Sequence, residues 1–170
     1  MKQGSSKAVK AALAGVALAA GALAAWALWP GPTAAAAPQA RRYLDASACL
    51  LTGASGVSPG TLGARAWSAM ESASLTSHVM VSHLSSAAPA DAPSLLNTLI
   101  ERKCGVIVVT GASQSQVTSA ARANPGPRFI LVLDGAAAGP ATVLPNAVTV
   151  SAARASGPIN REVVALADAS

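Results

Sequence analysis

Two copies of one tetrapeptide hold the best prospect of chemistry in this chain of 170 residues: Thr52-Gly53-Ala54-Ser55 and Thr110-Gly111-Ala112-Ser113. Each follows an apolar run and precedes a stretch with helical spacing. A small-residue turn that opens a helix presents backbone N–H groups and the positive end of a dipole, which suits an anion or a polar solute. The same residues are also what any tight strand-to-helix turn uses, so both readings stand at this point.

Other chemistries can be weighed residue by residue. A dinucleotide loop needs further glycines so that the backbone can approach pyrophosphate. After Gly111 come Ala, Ser, Gln, Ser and Gln, and after Gly53 the glycines fall out of register. The single tyrosine, Tyr43, lies ahead of the first strand, where it serves no dehydrogenase chemistry. No Gly-x-x-x-x-Gly-Lys phosphate loop is present. Gly53-Ala54-Ser55-Gly56 is one residue short of a nucleophile elbow, and His78 and His83 precede any triad acid in the wrong order. Their spacing of five places them on opposite faces of a strand, which argues against shared metal ligation and for surface residues on an edge strand. No nucleophile–base pair emerges, and the expectation is a protein that is not an enzyme and carries no cofactor or metal.

Cys49 and Cys104 are the only cysteines. An even count suits a bridge in an oxidising compartment. Aligning the two strands by their Thr-Gly ends leaves Cys104 about three residues early, roughly 10 Å from Cys49, beyond the ~7 Å span of a disulfide. A turn that folds Cys104 back would close the gap; two inert, half-buried thiols are the alternative.

The elements that position these groups alternate. Strands are expected at 48–52, 78–84, 105–110, 129–133 and 147–151, with helices at 59–74, 94–103, 113–123 and 160–167. Ser58 reads as the N-cap of the first helix and Pro59 as its first residue; Leu62, Ala66, Ala69 and Met70 give its apolar face. Val106-Ile107-Val108-Val109 is the unbroken run of a strand buried on both faces. Asn124-Pro125-Gly126-Pro127 stops the third helix, and 135–145 is a Gly/Ala/Pro loop. Strand–helix alternation predicts an α/β fold with a parallel sheet in the order 2-1-3-4-5. The first and third strands then flank the switch point, where open α/β sheets bind ligands.

Ahead of this single lobe, 48–170, the chain divides into a basic segment 1–10, an uncharged apolar run 11–29 and an Ala/Pro-rich linker 30–47. The run is either a signal peptide cleaved near Ala34 and Ala36 or a single-pass transmembrane anchor with Trp26 and Trp29 at the interface. Either places the domain outside the cytoplasm, because lysines precede the run. No cysteine near its end offers a lipid attachment site. The net charge is +5. Lys2, Lys7 and Lys10 carry three of those charges, which leaves +2 on the rest. With no basic stripe and 3% aromatic residues, nucleic-acid binding is excluded.

The order of these motifs resembles the amino-terminal lobe of the basic membrane protein (BMP) family, extracytoplasmic solute-binding lipoproteins of ABC transporters, many of which bind nucleosides. The family pattern V-T-D-x-G-G-I-D-D-x-S-F-N-Q-x-A-W-E-G lies without gaps on 51–69, where Thr52, Gly56, Ala66 and Trp67 match and Val57 and Thr61 are similar. A second block covers 106–134, where Gly111, Asn124, Pro125, Arg128, Phe129 and Asp134 match or are close. Pro145-Asn146-Ala147-Val148-Thr149-Val150 is similar to a third.

The resemblance implies one Rossmann-like lobe of a type I periplasmic binding protein. It places ligand-binding positions at Gly53, Ser55, Ser58, Gly63, Gly111, Ala112, Ser113 and Asp134. It also implies a small solute such as a nucleoside, and an ABC permease or a second lobe gained by dimerisation as partner. The family's first acidic residue falls on Gly53, its acidic pair on Ser58 and Pro59, its Phe-Asn on Leu62 and Gly63, and its second aromatic on Ala112. Loss of one ring stack removes ~0.5–1.5 kcal/mol, and of each charged hydrogen bond about 1.5–3 kcal/mol. The expectation is therefore weak or altered solute binding, or a non-binding cell-envelope interaction protein or inactive relic.

Overall fold

The computed structural model describes residues 42–135 and 144–170. The basic segment, the apolar run and most of the linker lie outside the described residues, as does the middle of the 135–145 loop. Among the described residues nine main elements follow in order: β1 (Ser47–Thr52), α1 (Leu62–Ser77), β2 (Met80–Ser85), α2 (Ala92–Glu101), β3 (Val106–Val109), α3 (Gln114–Ala123), β4 (Arg128–Leu133), β5 (Ala147–Ser151) and α4 (Ser156–Asp168). Short 3-10 turns, Pro89–Asp91 and Ala152–Arg154, lead into α2 and α4. The five strands form one all-parallel sheet in the order β2-β1-β3-β4-β5. This is the α/β architecture and the strand order expected from the pattern.

Alternation along the inner strands splits the core in two. Ala48, Leu50, Val106, Val108, Ile130 and Val132 point to one face, under Met70 and Ala73 of α1 and Ile159 and Val163 of α4. Cys49, Leu51, Ile107, Val109, Phe129 and Leu131 point to the other, under Leu96 and Leu99 of α2 and Val117 and Ala121 of α3. The inner strands are therefore apolar at successive residues, as a sheet covered on both sides demands. At the border, β2 is exposed at four of its six positions, and the polar Ser82, His83 and Ser85 sit there.

Four elements start two or more residues away from the sequence expectation. Helix α1 begins at Leu62, not Pro59. Gly60 has a φ of +84°, which a helix cannot continue through, and Thr61 is the N-cap, its Oγ1 accepting from Ala64 N at 3.1 Å. Strand β2 begins at Met80, not His78. His78 is the left-handed C-cap of α1, with its N–H on Ser74 O. Helix α2 runs Ala92–Glu101, two residues ahead of the expected span at each end. Helix α4 starts four residues earlier than expected, at Ser156, because the 3-10 turn before it feeds directly into the α-helix.

The lower end of the sheet, at the strands' amino termini, is tied by polar contacts. The Asn146 carboxamide is buried and donates to Ala121 O, Asn124 O and Pro127 O. It thus satisfies carbonyls that the end of α3 leaves without a helical partner. Arg128 grips both Glu162 oxygens at 3.1 Å and also donates to Pro145 O.

Candidate functional site

The two Thr-Gly-Ala-Ser loops lie side by side at the carboxyl ends of β1 and β3. Register pairs Leu51 with Val109, and Thr110 N donates to Leu51 O at 2.8 Å. The loops meet backbone to backbone. A methyl on Gly53 would sit 3.7 Å from Gly111 Cα, and one on Gly111 would overlap Gly53 N and Thr52 C and O. The glycines let the two turns close on one another, and no cleft opens between Gly53 and Gly111. Gly63, in the first turn of α1, is buried against Gly56 O and the Thr52 methyl. Its lack of a side chain serves packing.

Several of the loop amides are spent within the loops. Gly56 N donates to Gly53 O at 2.9 Å, Ser58 N to Ser55 O at 3.3 Å, and Thr61 N to Ser58 O at 3.1 Å. Ser55 and Ser58 are exposed. Ser58 supplies its carbonyl to Thr61 Oγ1 at 2.7 Å and is not the helix cap. In the second loop Ser113 is the N-cap of α3. Gln116 N donates to Ser113 Oγ at 3.3 Å, and Ser113 N donates to Gln116 Oε1 at 2.8 Å, a reciprocal capping box. Ala112 is half-buried against the α2/α3 core. Thr52 Oγ1 donates to Leu84 O and Ser85 Oγ, which ties β1 to the edge strand. Of the eight sequence-derived positions, seven thus gather at the β1/β3 switch point, as turn, cap and packing residues. Asp134 stands apart, exposed at the end of β4.

Cys49 and Cys104 form a disulfide with Cα atoms 5.8 Å apart. Ile107 is the residue opposite Cys49, so straight extension of β3 would leave Cys104 too far away. The chain bends instead. Lys103 takes a φ of +59°, Cys104 N donates to Leu99 O, and Gly105 N donates to Ser47 O. Both cysteines are 1% exposed. His83 packs edge-on against Trp67, with ring centroids 5.0 Å apart, while His78 caps α1, so the two histidines have separate local roles. Among the described residues no group of three His, Cys, Asp or Glu side chains could hold a metal. Among the same residues no helix is long and apolar enough to cross a membrane; the apolar run 11–29 lies outside them.

A larger hollow sits two strands away, at the carboxyl ends of β4 and β5. It is an open groove of about 720 Å³, lined by Leu133, Thr149, Val150, Ser151, Arg154 and Pro158 among others. The sequence reading passed over it. The one signal available was a lone arginine three residues past the last strand, and the placement of that arginine depends on the short turn at Ala152–Arg154.

No family model matches the chain, and no curated protein gives a significant match. Nine chains among the solved structures do match. One is a protein from Peptoclostridium difficile 630 described as a lipoprotein fragment, with a TM-score of 0.57 and 15% identity over 69% of this chain and 98% of that one. Another is a 3-dehydroquinate dehydratase-like protein from Bifidobacterium longum, with a TM-score of 0.47 and 12% identity over 73% of this chain and 97% of that one. At such identities the first likeness is one of fold.

Proposed function

We propose that this protein is an exported, non-enzymatic α/β module, built like one lobe of a solute-binding protein of the BMP type and binding small solutes weakly. The observation that carries the reading is the sheet itself. A parallel β2-β1-β3-β4-β5 order puts paired small-residue loops at the switch point, on the edge where open α/β sheets meet ligands. The buried Cys49–Cys104 bond supports export, since such bonds persist in oxidising compartments. Likeness in fold to a protein described as a lipoprotein agrees with a place at the cell envelope.

A second reading is a non-binding envelope protein that acts through protein contacts. The packed Gly53–Gly111 junction favours it, because it leaves no cleft between the two loops for a solute to enter.

A thermal-shift panel of nucleosides separates the two. A ligand at a hundred times its Kd adds about 2.7 kcal/mol of stability, so a clear rise in melting temperature at millimolar nucleoside supports the first reading. A flat response across nucleosides and other small solutes supports the second.

A further inference from the structure

We propose that the groove at the carboxyl ends of β4 and β5 is a binding site for a small organic anion, a carboxylate with a short apolar tail, held by Arg154. The proposal rests on the reading of the protein as a solute-binding lobe. It moves the solute from the closed β1/β3 junction to the far side of the same edge.

The groove's lining sets the ligand class. Arg154 is the one charged side chain among the described lining residues. It makes no salt bridge or hydrogen bond among the described residues; the ion pair found there is Arg128–Glu162. Glu162 is thereby committed elsewhere. Asp134, the exposed residue that follows β4, is not itself among the lining residues, though Leu133 and Gly135 on either side of it are. A guanidinium presents paired N–H donors in the geometry of a carboxylate. Thr149 and Ser151 add hydroxyl groups on the β5 side. Leu133, Val150 and Pro158 add apolar wall, against which a hydrocarbon tail loses contact with water. At about 720 Å³ the hollow falls in the range of small-molecule sites. The cation and the apolar wall favour an amphiphilic monoacid over a neutral nucleoside, and the hydroxyls can donate to its carboxylate.

The test is a titration of the full-length chain, followed by backbone amide NMR and by thermal shift, with hexanoate as the probe. Hexanol is its uncharged counterpart, and inorganic phosphate an anion without a tail. Saturable hexanoate-induced shifts at Leu133, Thr149, Ser151 and Arg154 are expected, with weaker effects from hexanol and phosphate. Arg154→Gln, an exposed position, should keep the fold and weaken hexanoate binding by about tenfold or more, as loss of a charge-assisted hydrogen bond requires. Arg154→Lys should fall between the two. No saturable response to millimolar hexanoate, or equal binding by wild type and Arg154→Gln, overturns the proposal. If nucleosides stabilise both proteins while hexanoate does nothing, this site fails and the solute-binding reading stands. If neither class binds, both fail.

Discussion

A methyl group at position 111 would have nowhere to go, because the atoms it meets are the backbone of Thr52 and Gly53, which cannot swing aside. Gly111→Ala is expected to destabilise the domain by about 3 kcal/mol or more, at the upper end of overpacking costs, read by urea denaturation. Gly157 is the contrast. Nothing lies within 4 Å of a methyl placed there, and the residue is already helical, so Gly157→Ala should stabilise by ~0.5–1 kcal/mol. Glycines of the same chain thus split into those that define the junction and those that merely occupy a turn. Sequence does not separate them. Gly53 and Gly111 look like ordinary turn residues until the register of β1 on β3 brings their loops together.

Elements show where local signals suffice and where they compete. Val106-Ile107-Val108-Val109 and Phe129–Leu133 could be read as buried strands, since both are short apolar runs, rich in β-branched or aromatic residues and bounded by turn residues. The capping box at Ser113 carries an equally local signal, because Gln116 lies three residues on. The start of α1 was not. Ser58-Pro59 offers a cap and a first residue, Thr61 offers a second cap, and only the left-handed Gly60 decides between them. Thr61→Ala is therefore expected to cost ~1 kcal/mol and Ser58→Ala less than about 0.5 kcal/mol, a pair that thermal denaturation resolves. The candidate site was partly legible for the same reason. Its loops could be located from composition, but their closure on one another is a tertiary fact, and the β4/β5 groove depends on a 3-10 turn that carries no strong sequence mark.

At the scale of the molecule, the disulfide joins β1 to the turn ahead of its neighbour β3, across a sequence separation of 55 residues. A loop of that size corresponds to about 4 kcal/mol of denatured-state entropy in the chain-entropy model. Cys49→Ala/Cys104→Ala should lower the unfolding free energy by roughly 2–5 kcal/mol, and added reductant should weaken the wild type by a similar amount while leaving the double variant unchanged. Because the disulfide sits in the α2/α3 core, the oxidised form should resist reduction until the domain opens.

The same bond has a mechanical consequence. A tug applied through the amino terminus enters at β1, five residues past Arg42, and reaches Cys49 almost at once. There the covalent link hands the load straight to Cys104, so that β2, α1 and α2 form a closed lasso that never comes under tension. In single-molecule stretching, the oxidised domain should release a contour length about 20 nm shorter than the reduced one, since 55 residues at ~3.6 Å each stay looped.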